Sequence, residues 1–211
     1  MGKIDVQNGI LAAIAGRRSI RRYRPEPLAD ATLLRLLTAA TAAPSAHNRQ
    51  PWRFAVLRDA AAKLALAEAM GRRLFEDRLR DGDANDAIER DVVRSWARIT
   101  GAPAVIAVCL TLEEMDRYPD PRRERAEYLM AVQSTAMAVQ NLLLAAGAEG
   151  LGACWMCAPL FCPEVVKAAL DLPAAWEPQA LVTLGHPAEA GKERGRKPLP
   201  AVVLGRGPRP V

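Results

Sequence analysis

The period at which apolar residues recur changes along this chain, and the period assigns the elements. From Gln7 to Ala15 the apolar Ile10, Leu11 and Ile14 share one side of a helix that Gly16 closes. Pro25 and Pro27 keep the following stretch extended. Asp30 is placed as the N-cap of a helix to about Ala43, with Leu33, Leu34, Leu36 and Leu37 inside and Pro44 at its end. The run Phe54–Leu57 predicts a strand over 52–57, and Ala60 to Met70 an alanine-rich helix. Gly71 to Arg98 stays helical but is heavily charged. Ala104 to Leu110 is continuously apolar, as a buried strand is. Glu113 to Arg125 is polar, contains Pro119 and Pro121, and reads as a loop. Glu127 to Ala146 is the longest helical pattern, ended by Gly147 and Gly150. Its middle, Met130 to Val139, is nearly free of charge on every side. Such a helix is buried in a core or an interface, which predicts a homodimer with this long central helix near its counterpart. Strands at Gly152–Met156 and Glu177–Leu184 and a helix at Pro163–Ala169 complete an α+β fold, expected as a single domain over residues 1–211.

A chain of 211 residues, half hydrophobic and a quarter charged, can bury a real core. No run of about 18 apolar residues predicts a membrane span, and Met1–Asp5 lacks the apolar stretch of a signal peptide. A cytoplasmic protein is the expectation. The net charge of +5 does not form a tract interleaved with aromatics, so no nucleic-acid partner is expected; anionic small molecules are. Cys154 and Cys157 have CxxC spacing, but in a strand-like apolar run rather than at a helix start. With Cys109 and Cys162 they are expected as buried, inert thiols, and no metal site is expected. The chain lacks GxGxxG after its first strand, a P-loop and a GxSxG elbow, which argues against Rossmann, nucleotide-hydrolase and serine-hydrolase chemistry.

Two polar knots carry the chemistry. Arg17-Arg18-Ser19-Ile20-Arg21-Arg22-Tyr23 suits a phosphate, because guanidinium forks make bidentate contacts to its oxygens. Pro44-Ser45-Ala46-His47-Asn48-Arg49-Gln50-Pro51-Trp52 is an amide-rich loop pinned by two prolines, where Asn48 offers both donor and acceptor. Together they would serve the phosphate and the ring edge of a flavin mononucleotide. The arginines of 71–98 either cover the site or form a salt-bridged outer face.

These two segments and Glu149-Gly150-Leu151-Gly152 after the long helix occur in the order and spacing of the nitroreductase superfamily, which the chain resembles over roughly residues 8–206. The resemblance implies a three-layer fold, a homodimer, and FMN at the subunit interface with both chains lining each pocket. It implies that Arg17, Arg18, Ser19, Arg21 and a late basic residue, Arg196 or its competitor Arg194, hold the phosphate and ribityl chain. It places Pro44, Ser45, Ala46 and Asn48 on the isoalloxazine, and Gly150, Leu151 and Gly152 where backbone approaches flavin N5; Gln133 and Ser134 of the long helix are expected to line the flavin. Ping-pong hydride transfer through N5 follows, with NAD(P)H or a reduced deazaflavin as donor and no essential side-chain acid. His47 is read as a loop or substrate-side residue, and Gln50 and Trp52 as residues that hold and pack the loop. A narrower resemblance joins Tyr118–Arg123, Ala138–Leu143, Gly150–Trp155 and Leu170–Pro178 to the C-terminal reductase domain of the bifunctional enzyme of coenzyme F-420 biosynthesis. It implies reduction of the enolpyruvyl double bond of dehydro-F-420-0, an anionic, phosphorylated substrate. A generic nitro or quinone reductase and a non-catalytic flavin or deazaflavin binder are the alternatives.

Overall fold

The computed structural model describes residues 9–204. Gln7, Asn8 and the ends of the expected domain therefore lie outside the described residues. In chain order the elements are α1 (Gly9–Gly16), α2 (Asp30–Thr41), β1 (Trp52–Leu57), α3 (Ala60–Arg80), α4 (Asn85–Thr100), β2 (Ala104–Leu110), α5 (Pro121–Ala148), β3 (Gly152–Met156), α6 (Pro163–Ala169) and β4 (Glu177–Gly185). The sheet is antiparallel throughout, in the order β1-β2-β4-β3.

Helices cover both faces of the sheet, so the central strand β2 is buried at every position. Alternate side chains go to opposite layers, as strand geometry requires. Ile106 and Val108 meet α2 and α5 with Leu36, Val139 and Leu142. Val105 and Ala107 meet the other layer, with Leu66 and Met70 of α3, Ile99 of α4 and Val166 of α6. This is the expected three-layer arrangement.

Three local expectations change. Residues 121–126 are helical rather than loop: Asp120 caps α5 by accepting from the Arg123 N–H, and Pro121 sits at the first turn, where its missing N–H costs nothing. Asp30 is the first residue of α2 rather than its N-cap; Ala29 holds that place without a side-chain bond, and Asp30 pairs with Arg58. The middle of α5 is not buried all round. Ser134, Thr135, Ala138 and Val139 face inward, whereas Leu129, Gln133, Met137 and Gln140 form an exposed stripe. By length and composition α5 is also apolar enough to cross a membrane, with a mean hydropathy of 1.4 over its best window. Its inner face is the wall of the core, which accounts for much of that character.

Candidate functional site

The arginine knot lies along the outer edge of β3. Ser19 pairs with Ala153 as a parallel bridge, and the Ile20 N–H donates to the Ala153 carbonyl at 3.1 Å. Beyond it, Tyr23 bridges Pro187, and the Arg24 N–H donates to the His186 carbonyl at 2.8 Å. Tyr23 Oη also donates to the Ile20 carbonyl at 2.6 Å and lies 2.8 Å from Thr183 Oγ1. Burial raises the Tyr23 pKa and keeps the phenol protonated for these bonds, against the opposing effect of its contact with Thr183. The knot is thus an added edge strand, clamped at two points.

Gly152 permits this approach. A Cβ there would stand 2.7 Å from Ile20 Cγ2 and 2.8 Å from Ile20 Cβ. Gly152→Ala is therefore expected to push the knot off β3 and cost about 1–3 kcal/mol, the usual range for overpacking. Urea denaturation checks it: an unchanged midpoint would mean the edge yields freely.

The turn before β3 is a Schellman cap. Gly150 takes φ +72, the Leu151 N–H donates to the Ala146 carbonyl at 2.8 Å, and the Gly150 N–H to the Gly147 carbonyl at 3.1 Å. Those two N–H groups are therefore engaged by α5. Of the three residues expected near flavin N5, Gly152 alone has an N–H outside the cap.

Over the knot lies an open cleft of about 1320 Å³. Nine cationic side chains line it: Arg17, Arg18, Arg21 and Arg22 of the knot, Arg94 and Arg98 of α4, and Lys192, Arg194 and Arg196 of the tail. Two carboxylates, Glu189 and Glu193, oppose them. The local excess of positive charge is larger than that of the whole chain, +5, so the basic character is concentrated here. Arg18 is held within the fold: it donates to the Ala15 carbonyl at 2.7 Å and lies 3.8 Å from Glu193. Arg196 donates to the Arg194 and Gly195 carbonyls. Both Arg194 and Arg196 reach the cleft. Arg17 and Arg98 have no carboxylate partner among the described residues. Burial and the neighbouring Arg21 and Arg94 disfavour the charge on Arg98 and lower its pKa. Arg94 and Arg98 are the cleft residues that the motifs did not single out.

The loop Pro44–Trp52 stands elsewhere. It leads into β1, the opposite edge strand, at the end of the sheet where Trp52 pairs with Leu110. The knot adjoins β3 at the end where Gly152 pairs with Gly185. Three inter-strand steps and about five residues of strand rise separate these corners by roughly 20 Å. The loop packs on α5, where the Ala46 N–H donates to Ser134 Oγ at 3.3 Å beside the exposed Gln133. Gln133, Ser45, Ala46 and Asn48 thus share one corner. Arg17, Arg18, Ser19, Arg21, Gly150, Leu151, Gly152 and Arg196 share the other.

The loop backbone is strained. His47, Asn48 and Gln50 take φ of 50, 55 and 49, a region that asparagine and histidine enter more readily than glutamine. Ser45 Oγ accepts from the Gln50 N–H at 3.0 Å and Arg49 pairs with Asp116 at 2.5 Å, which fixes the conformation. Asn48 accepts from the Gln50 amide at 3.3 Å and is exposed, with its own Nδ2 unengaged among the described residues. Strain of about 1–3 kcal/mol per residue held on an exposed loop marks a surface organised for contact.

Most charges of the α3–α4 hairpin are satisfied internally. Arg73 pairs with Asp77 and Glu164, Arg78 with Asp83 and Asp91, and Arg90 with Asp86. Cys109, Cys154 and Cys162 are buried, but Cys157 is exposed, contrary to the expectation for it. Burial pushes the Cys109 thiol up to about 12. Among the described residues no group of three His, Cys, Asp or Glu could hold a metal ion.

A helix-covered antiparallel sheet with a basic edge strand on β3 is the architecture of a known family. The nitroreductase family matches residues 14–186, and the chain belongs to it. A Thermus thermophilus protein named NADH dehydrogenase is 36% identical over 214 residues, covering 90% of this chain and 92% of the relative. A Rhodospirillum rubrum 5,6-dimethylbenzimidazole synthase is 33% identical over 192 residues, covering 87% and 84%. A Desulfovibrio desulfuricans structure, described as a nitroreductase in complex with FMN, superposes with a TM-score of 0.73 at 31% identity over 95% of this chain and 98% of that one. None of these three is named for coenzyme F-420 biosynthesis.

Proposed function

We propose that this protein is an FMN-dependent oxidoreductase whose flavin site is completed by a second copy of the chain. The observation that carries the reading is the clustering of the arginine knot, the glycine turn and the basic tail on one edge of β3, in a member of the nitroreductase family. The donor set fits FMN: guanidinium forks suit its phosphate, and an amide loop suits its pyrimidine edge. When bound, FMN supplies hydride acceptance from a donor and hydride delivery to an acceptor. Arg17, Ser19 and Arg196 hold the phosphate, with Arg18 fixing the tail against the knot. Gly152 lets the knot close on β3, and Asn48 on its strained loop orients the ring from the partner copy. Two features support the pairing of copies: the roughly 20 Å between the two corners of one chain, and the exposed stripe on α5, where Leu129 is 42% and Met137 39% exposed.

NAD(P)H or a reduced deazaflavin is the donor in this reading. The acceptor is an anionic phosphorylated molecule, for which the sequence resemblance singles out the enolpyruvyl double bond of dehydro-F-420-0. The relative named NADH dehydrogenase favours a second reading, a generic nitro or quinone reductase. Stopped-flow absorbance of the FMN-loaded protein separates them. After anaerobic reduction with NADH or NADPH, flavin reoxidation on mixing with dehydro-F-420-0 is expected. Reoxidation by a quinone or nitroaromatic alone would leave the generic reductase. Failure to retain FMN would remove the proposal.

A further inference from the structure

The cleft over the knot holds more cationic charge than one flavin phosphate requires. Arg18, Arg22 and Arg94 have carboxylate partners in Glu193, Glu189 and Asp91. Arg17, Arg21, Arg98, Lys192, Arg194 and Arg196 have none among the described residues. A phosphate monoester brings a charge of about −1.5 to −2, so its arrival leaves most of this excess in place. The surplus has a direction. Arg21 on the knot and Arg98 on the last turn of α4 line the same cleft, near enough for the Arg21 charge to disfavour that on Arg98. Both, together with Arg17, lie beside the buried Cys154 thiol of β3. Two elements, the knot and α4, therefore bring guanidinium groups to one spot, with Glu189, which accepts from the Arg21 N–H at 3.3 Å, as an acid beside them. Arg17 and Arg98 are half-buried and Arg21 is exposed beside a large open cleft, an arrangement suited to an anion.

On the reading that the knot and tail hold FMN, we propose that Arg98, with Arg21 and Arg94 beside it, forms a second anion subsite that takes a phosphate group of the hydride donor or of the acceptor. The flavin's own phosphate is left to Arg17, Ser19 and Arg196, which line the same cleft. The α3–α4 hairpin gains a purpose that its many internal ion pairs do not explain: its last turn brings Arg98 to the cleft. The two sources of the anion are the 2′-phosphate of NADPH and a phosphate on the acceptor.

The test uses FMN-loaded protein and its Arg98→Gln variant. FMN affinity is measured first, by quenching of flavin fluorescence, and adenosine 2′-monophosphate and inorganic phosphate are then titrated onto the loaded proteins by calorimetry. The variant is expected to bind both probes about tenfold or more weakly, the cost of losing a charge-assisted bond, with FMN affinity changed less than about twofold. If the variant also needs about tenfold more NADPH, but no more NADH, for half-maximal flavin reduction, the 2′-phosphate is the source. If both donors are unaffected and the demand for a phosphorylated acceptor rises, the acceptor is. Unchanged probe binding would overturn the subsite. So would a tenfold loss of FMN affinity, since Arg98 would then belong to the flavin's own phosphate. Wild-type protein that never loads FMN would instead sink the functional reading on which the subsite rests.

Discussion

Replacing Arg17 with alanine is expected to weaken FMN binding by about 10- to 100-fold. A charge-assisted hydrogen bond to phosphate contributes about 1.5–3 kcal/mol, and each 1.4 kcal/mol is a factor of ten. Arg17 is the knot residue best placed to give that full effect. It is half-buried at the cleft wall and has no carboxylate partner among the described residues, so its charge is free for a ligand. Arg18 differs. Its guanidinium is held by the Ala15 and Arg17 carbonyls at 2.7 and 3.1 Å, and its stem lies against the tail, where a Cβ on Gly191 would come within 2.2 Å of Arg18 Cβ. Loss of Arg18 would loosen the tail as well as the phosphate, and the two effects would be confounded. Arg17→Ala should leave the flavin-free protein as stable as before or slightly more so, because it removes one of several mutually repelling charges. Fluorescence titration of FMN and urea denaturation without flavin read the two quantities separately. An unchanged FMN affinity would place the phosphate away from the knot.

Much of this arrangement was legible in the sequence, for physical reasons that also mark where legibility stopped. The strands at 52–57, 104–110 and 152–156 could be bounded because apolar runs ended by Pro or Gly have few other uses. The start of α5 was missed because a proline serves equally in a loop and at a helix's first turn. The informative residue was Asp120, an N-cap three positions before the Arg123 N–H it accepts from. The nearly charge-free middle of α5 predicted burial in a core or an interface, but did not say what covers each side. Its inner side meets its own sheet, and its outer stripe stands exposed in the single chain. Arg98 could have been noticed. Arg73, Arg78 and Arg90 each have an acid near them in sequence, whereas the positions three and four away from Arg98 are Arg94, Ser95, Gly101 and Ala102. An arginine with no helical partner needs one elsewhere. The separation of loop from knot was beyond the sequence, since it depends on which edges of the sheet β1 and β3 occupy.

That separation leads to the second large effect. Arg17→Ala damages the knot corner and Asn48→Ala the loop corner, and each variant alone is expected to bind FMN poorly at both sites of a dimer. Mixing the two and allowing the subunits to exchange produces dimers with one copy of each. If a flavin takes its knot from one copy and its loop from the other, one site in each mixed dimer carries both lesions and the other carries none. Statistical exchange then restores about a quarter of all sites to wild-type affinity, provided a closed two-fold dimer forms. If one chain supplied both corners, every site would keep one lesion and mixing would restore nothing. The readout is the stoichiometry of the tight phase in an FMN titration of the exchanged mixture. Met137→Glu supplies the matching control. A carboxylate on the exposed stripe of α5 should prevent copies from pairing, because a charge is costly to bury unpaired in an interface. It should thereby abolish tight FMN binding while leaving intact the arginine knot some distance away on β3. A Met137→Glu chain that is monomeric by sedimentation yet binds FMN as tightly as the parent would show that a single copy holds the whole site.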